Sequence, residues 1–420
     1  MSGDQRRLAA ALFVVAWGTN VSTPLILRYQ DRLALSNSGA VAIFSVYVAG
    51  ILLALLFAGR LSDRYGRRPI VVPFTLLSGV GSLVMVVGRD ELFVLFAGRF
   101  LLGLVSGATL SVGTAWLNEL VIPPADFGEG VRDDEQGREH GGAHGEPGAA
   151  VERLRLAGIV TVLLYIGFGF GPVTSALWDR WLPEPLIWPY VVHAVACVVV
   201  AAAVATLPET TPAEPTVSLR PALGVPRPSR REFRRLVVPA AVWVFGFPSV
   251  SFALFPVVLR EAIGGADVLV AGAIGSLTAV AVLLSRPIVQ RSGDARRALV
   301  AGGAIGVVGY TVGTVAFVTG AWWLAPAGAV LLGAASGVLM SAGLAIADEL
   351  AHVDRRGTLS ATFYLVAYSG MTMPLVLTGV GGVASTTTAL VGVTVAAALA
   401  LGWVAAEVRS ATVDVATRAG

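Results

Sequence analysis

Phe96 to Leu120 reads FAGRFLLGLVSGATLSVGTAWLNEL, and 230 residues later Pro326 to Leu350 reads PAGAVLLGAASGVLMSAGLAIADEL. Twelve of the 25 positions are identical without a gap. The identities include Gly103/Gly333, Ser106/Ser336, Gly107/Gly337, Ser111/Ser341, Gly113/Gly343 and Glu119/Glu349. At about 1.5 Å per residue, each segment is long enough to cross a hydrocarbon layer of about 30 Å as a helix. Shorter echoes flank the pair. Pro24 and Arg28 recur as Pro256 and Arg260, and Arg64 and Gly66 recur as Arg291 and Gly293. A long apolar helix that recurs with its neighbours in the same order indicates two related halves in one bilayer.

Composition points the same way. Hydrophobic residues make up 55% of the 420, charged residues only 14%, and mean hydropathy is +0.76. A soluble chain carries about 25% charged residues. A fold this apolar has too little polar surface to cover itself in water, whereas a bilayer requires an apolar exterior. Twelve apolar stretches of spanning length are legible, at 8–28, 38–58, 69–88, 92–119, 153–178, 187–207, 236–260, 266–290, 296–319, 322–350, 356–379 and 383–407. The expected fold is therefore an all-α membrane protein, with twelve transmembrane helices in two pseudo-symmetric six-helix bundles. Residues 1–207 form the first half, 208–235 an Arg- and Pro-rich cytoplasmic linker, and 236–420 the second half.

All 30 basic residues are Arg. With the N-terminus placed inside, 24 of the 30 fall in inside segments, five fall outside and Arg99 lies within a span. This is the positive-inside bias, and it accounts for a pI near 9.3 without a nucleic-acid partner. It puts both termini in the cytoplasm and the protein in the cell membrane as a multi-pass chain. Arg6 and Arg7 precede an apolar run that reads as an uncleaved first span, since no small-residue cleavage pattern follows. Trp178, Trp181, Trp188, Trp322 and Trp323 fall at outer helix ends, where an amphipathic ring favours the headgroup level. The single Cys197 excludes a disulfide framework. Residues 121–152 are polar and Gly-rich. The spacing of His140 and His144 among acids matches no metal-ligand pattern, so neither metal nor cofactor is expected.

The inner loop after the second span reads Gly59-Arg60-Leu61-Ser62-Asp63-Arg64-Tyr65-Gly66-Arg67-Arg68-Pro69. This strongly resembles the G-x-L-x-D-R-x-G-R-R/K loop of the major facilitator superfamily, and every defining position matches. The resemblance implies transport by alternating access. It also implies a gate in which Asp63, among Arg64, Arg67 and Arg68, engages basic residues and the N-terminus of helix eleven in the outward-open state. A carboxylate is favoured at a helix N-terminus by the partial positive charge there. Gly59 and Gly66 are expected to permit a tight turn and close approach.

Arg99-Phe100-Leu101-Leu102-Gly103 resembles the family's R-x-x-x-G motif, linked there to proton transfer in antiporters. Arg99 lies about 10 Å inside the outer end of its span. A cation at that depth is a functional candidate, set against snorkelling to the headgroups or pairing with Glu91. Its repeat partner is Ala329. Gly158, Gly167, Gly171 and Pro172 match the spacing of the antiporter motif G-x8-G-x3-G-P-x2-G-G, while Ser175 and Ala176 replace the final pair. That resemblance points to the drug:proton antiporter branch, and helix packing is the plainer role of the same residues. Glu119 and Glu349 end the duplicated helices and are placed to pair with loop arginines as gates. No span has an Asp or Glu at its middle. Asn20, Tyr165, Trp243, Phe247, Tyr310 and Tyr368 are the candidates to line a cavity tolerant of apolar or aromatic cargo.

The reading is a proton-coupled carrier that exports a small, hydrophobic molecule and works as a monomer in the lipid bilayer. Two alternatives stand beside it. One is an uptake carrier for a metabolite, sugar or organic anion; the other is a non-transporting membrane sensor on the same fold. No catalytic constellation is visible.

Overall fold

The computed structural model of the chain describes residues 1–120, 147–221, 223–351 and 356–419. Among them, twelve helices are long and apolar enough to cross a membrane. They are α1 (Gly3–Arg32), α2 (Asn37–Tyr65), α3 (Arg68–Asp90), α4 (Leu92–Glu119), α5 (Gly158–Trp181), α6 (Trp188–Ala205), α7 (Arg230–Val258), α8 (Arg260–Ser292), α9 (Ala295–Thr319), α10 (Trp322–Leu350), α11 (Thr358–Val383) and α12 (Thr386–Ser410). The helix of α5 already begins at Pro147, inside the stretch expected to be loop. Residues 121–146, with His140 and His144, lie outside the described residues. Helix α7 starts at Arg230, so the end of the expected linker is its first turn.

Local chemistry sets several of these boundaries. Ser2 and Gln5 form a reciprocal capping box at the start of α1, Ser36 caps α2 and Asp294 caps α9. The helix of α1 is interrupted at Val21, just before Pro24, and α7 widens into a π turn at Val250–Leu254, just before Pro256. Proline lacks an N–H and crowds the preceding turn, so both helices lose regular α-helical hydrogen bonding at matching places in the repeat.

Neighbour relations repeat between the halves. In the first half α1 packs on α4, α5 and α6, α2 on α4, and α3 on α4 and α6. In the second, α7 packs on α10, α11 and α12, α8 on α10, and α9 on α10 and α12. Helices α1 and α7 are the most enclosed, with 83% and 78% of their apolar windows buried, whereas α12 has 28% and faces outward. His193 pins α6 within the first half. It donates from Nε2 to the Val14 carbonyl (3.0 Å), and its Nδ1 lies 2.7 Å from Ser82 Oγ.

The halves meet along α5 with α8 and along α2 with α11. Two ends of the bundle can be told apart. The basic end carries the Arg-rich loops; the far end carries exposed Trp181, Trp188 and Trp323. At the far end one apolar cluster draws on both halves, joining Val21, Leu25 and Phe44 to Val257, Val268 and Met371. Toward the basic end each half keeps a separate core.

Candidate functional site

The loop between α2 and α3 is built around Gly66. Its φ of +97° lets the chain turn out of α2, and its N–H still donates to Ser62 O at 2.9 Å. Any Cβ there would press on the Glu209 carboxylate. Arg67 then reaches back. Its Nη1 donates to Ser62 Oγ (2.5 Å) and Asp63 Oδ1 (3.0 Å), and its Nη2 donates to Glu119 Oε1 (2.9 Å). Burial opposes the charge on the Arg67 guanidinium, but the hydrogen bonds and charges of Glu119 and Asp63 outweigh it and raise the pKa. Asp63 is half-exposed and has Arg67 as its ion partner within this loop. Arg64 sits over the ring of Tyr65, and Arg68 donates to Leu207 O. Gly59 faces open space inside α2, so neither a turn nor a close approach accounts for it in this state.

Residues after α6 complete the loop, and sequence reasoning missed them. Glu209 accepts the backbone N–H groups of Arg67 (2.8 Å) and Arg68 (2.9 Å), capping α3 with a carboxylate. Thr210 and Thr211 donate to Glu119 at 2.5 and 3.0 Å. These residues sit in a Pro-rich polar stretch with no periodicity to single them out. The second half repeats the central pair. Arg296 holds Glu349 through two 3.0 Å bonds and also takes Glu232 at 2.8 Å.

Arg99 is fully buried on α4. Nε donates to Ile43 O (3.2 Å), and Nη1 donates to Thr19 O (3.1 Å) and Ser22 Oγ (2.7 Å). The guanidinium lies 4.8 Å from the Tyr47 ring centroid and 5.7 Å from that of Phe44. It neither reaches the headgroup level nor pairs with Glu91. Carbonyls, a hydroxyl and two aromatic rings solvate it instead of a carboxylate, and its charge stands uncancelled in the helix bundle.

Helix α5 is seated between the halves. Gly167 lies against Ala16 and Phe13 O, and Gly171 lies against Trp17 O and Asn20, all on α1. Pro172 faces the other way, against Gly272 and Gly275 of α8, and Ser276 of α8 donates to Gly169 O at 2.7 Å. Gly158 is open, with only the Arg286 guanidinium nearby. Asn20 ties α1 to α5 by donating to Phe168 O at 3.1 Å.

The six cavity candidates separate into groups. Tyr165 packs edge-on to Phe168, and Tyr368 stacks on Phe245 at 4.1 Å, with Tyr364 at 6.5 Å. Tyr47 from the first half shares one apolar cluster with Phe245 and Tyr368 from the second. Aromatic residues of the two halves thus meet in one cluster. Trp243, Phe247 and Tyr310 lie elsewhere. They pack on one another at 5.0–6.1 Å inside the second-half core, where Tyr310 donates to Gly246 O at 2.9 Å. Phe245, Tyr364 and Tyr47 take their place between the halves, and helical periodicity alone does not distinguish the two faces.

At the far end a line of alternating charge closes the bundle. Arg28 makes a two-pronged bond to Asp179 (2.7 and 2.8 Å). Arg260 of the second half holds Asp31 of the first at 2.7 and 2.5 Å and Asp267 at 2.9 Å. Among the described residues no group of three or more His, Cys, Asp or Glu is placed to hold a metal ion.

The family model of the Major Facilitator Superfamily matches residues 8–374. Over 76 residues the chain is 41% identical to the multidrug resistance protein MdtL of Escherichia coli (strain K12 / DH10B) and to that of Shigella flexneri serotype 5b. The match covers 18% of this chain and spans about a fifth (19%) of those relatives' length. Among solved structures, the POT family transporter PepTSo superposes with a TM-score of 0.72 over 98% of both chains at 14% identity. The nucleoside transporter NupG superposes at 0.69 over 96% of this chain and 98% of that one, at 11% identity. Likeness at these identities is likeness of fold.

Proposed function

The chain belongs to the major facilitator superfamily, and from that premise we propose that it exports a small, hydrophobic molecule across the cell membrane in exchange for protons. Transport by this superfamily proceeds by alternating access, with the two halves rocking about a site near the midplane. The basic end is cytoplasmic in this reading, as the arginine bias requires. The structure is then the state closed to the outside.

The observation that carries the reading is the seat of α5. Gly171 presses on α1 and Pro172 on α8, so the glycine–proline pair lies where the two halves touch. The same pair carries the resemblance to antiporters, and the short stretch shared with a multidrug resistance protein agrees with it. The aromatic cluster of Tyr47, Tyr165, Phe245, Tyr364 and Tyr368 suits flat or apolar cargo, and the hydroxyls offer hydrogen bonds without fixed charge. Asp63 and the arginines around it work the inner gate. Arg99, charged and without a carboxylate partner, sets the potential felt through Tyr47 by any proton or ligand in the gap. The protein acts as a monomer in the bilayer.

The test is compound-driven proton flux in proteoliposomes under an imposed pH gradient, with lipophilic, cationic, anionic and sugar-like compounds. Saturable flux for lipophilic compounds that Arg99→Ala abolishes supports the reading. Accumulation of a polar metabolite in the opposite sense sinks it in favour of uptake. Folded protein without flux for any compound sinks the transport of such cargo altogether.

A further inference from the structure

We propose that the chain between the halves is a short leash, clamped to each half, that limits how far the basic end opens along the α2–α11 seam. From the end of α6 at Ala205 to the start of α7 at Arg230 there are 25 residue steps. Extended, they would reach about 85 Å and restrain nothing. Most of that length is taken up before it can act.

The first-half clamp begins at once. Trp116 Nε1 donates to Pro208 O at 3.2 Å, Glu209 caps α3, and Thr210 and Thr211 hold Glu119. The chain then runs along the end of α2. Glu214 N–H donates to Asp63 O at 3.3 Å, and Arg60 Nη1 donates to Ser218 O at 3.0 Å. The second-half clamp starts six residues later. Gly224 N–H donates to Thr362 Oγ1 on α11 at 3.0 Å, Val225 packs on the second-half core, and Ser229 Oγ donates to Leu350 O at 2.7 Å. Six residue steps separate these two clamps, from Ser218 to Gly224, and they can span at most about 22 Å.

The placement gives the leash its role. Its anchors lie on α2 and α11, the two helices that meet across the halves on one side of the gap. Its first anchor is also the gating loop, so tension on the leash falls on Asp63, Arg67 and Glu119. Opening the basic end beyond the reach of six residues must therefore pull Ser218 off Arg60 or Gly224 off Thr362. The inference rests on alternating access and not on the direction of transport or on protons.

The experiment uses the full chain in proteoliposomes, spin-labelled at Tyr65→Cys on α2 and Arg297→Cys on α9. The native Cys197 is buried and out of reach of the label. The distance distribution between labels is compared before and after inserting twelve Gly/Ser residues behind Arg220, an exposed position between the two clamps, so that the insertion leaves both in place. Twelve such residues add about 19 Å of root-mean-square reach. The expected result is a long-distance edge that moves outward by about 10 Å. Thr362→Val, which removes the first hold of the second-half clamp and no bulk while Val225 and Ser229 keep theirs, moves the same edge outward by a smaller amount. An edge unmoved by the insertion overturns the proposal, because the limit then lies in the helix packing. An edge that moves with the insertion and stays with Thr362→Val overturns the assignment of Thr362 as the anchor.

Discussion

The two halves do the same packing with the same residues and carry charge differently. A side chain at Gly103 would collide with the Tyr47 carbonyl on α2, and one at Gly333 would collide with the equivalent Thr278 carbonyl on α8. Ser106 bonds Thr19 on α1, and Ser336 bonds Val244 O on α7. Arg67 holds Glu119, and Arg296 holds Glu349. The symmetry stops at Arg99, whose counterpart is Ala329, and at Asp63, whose counterpart is Gln290 when Gly66 is set on Gly293. Packing is duplicated because both halves must cross the same bilayer with the same helix crossings. A buried charge is under no such requirement.

The comparison breaks hardest at Arg99. Replacing it with Leu leaves Thr19 O, Ile43 O and Ser22 without their charged donor. Hydrogen bonds to charged groups are worth about 1.5–3 kcal/mol, so coupled flux should fall about 10- to 100-fold. Arg99→Lys keeps the charge and loses the fork that reaches two helices at once, and should recover only part of the flux. The converse change, Ala329→Arg, puts a cation into a fully buried second-half site. It should lower stability by about 3 kcal/mol, read as a fall in unfolding temperature in detergent. If Ala329→Arg is silent, the halves are less distinct than their charges suggest.

The glycines sharpen the comparison at the next level. Gly103→Ala and Gly333→Ala each force a helix away from a backbone oxygen that cannot rotate aside. Overpacking of this kind costs about 1–3 kcal/mol. The two losses should agree within about 0.5 kcal/mol in thermal unfolding, since the sites are equivalent and far apart. A large loss in one half alone would mean that the identity reflects composition and not a shared crossing.

The paired ion bridges should differ by less. Arg67 and Glu119 are 13% and 23% exposed and share Glu119 with two threonines, whereas Glu349 is 56% exposed. Glu119→Gln should destabilise the first half by about 1–2 kcal/mol. Glu349→Gln should cost no more than a few tenths, because solvent screens the pair. A double-mutant cycle with Arg67→Gln and with Arg296→Gln measures both coupling energies.

These differences mark the limits of what could be read without coordinates. The spans were legible because a helix must be apolar for about 20 residues to cross a bilayer, and the halves because the duplicated helix kept its glycines. The depth of Arg99 was legible by counting residues. Its nest was not, because the carbonyls come from α1 and α2 and depend on how three helices pack. Aromatic residues on α7 show the same limit. Trp243 and Phe247 are four apart and share the core face, while Phe245 between them points at Tyr368. Periodicity separates the faces of a helix but does not say which one meets the other half. Glu209 was illegible for another reason: a cap read from a linker requires knowing which helix start lies beneath it.

The smallest expected effect concerns the far end, where one arginine acts within a half and its counterpart acts between halves. Arg28 holds Asp179 inside the first half, with the carboxylate only 6% exposed. Arg260 reaches across to Asp31, which is 48% exposed. A pair that exposed is worth about 0.2–1 kcal/mol. Asp31→Asn should therefore shift the balance toward the state open at the far end by about 1.4- to 5-fold. The shift can be read as faster reaction of a cysteine at buried Val257 with a membrane-impermeant thiol reagent. Because the Debye length shrinks to about 3 Å at 1 M salt, raising the salt should erase most of the difference between Asp31→Asn and the parent. Asp179→Asn should lower unfolding temperature without changing the labelling rate, since both partners move together. Equal labelling of Asp31→Asn and the parent at low salt would mean that the apolar cluster around Val21, Phe44, Val257 and Met371 closes the far end by itself, and that Arg260 repeats Arg28 in sequence only.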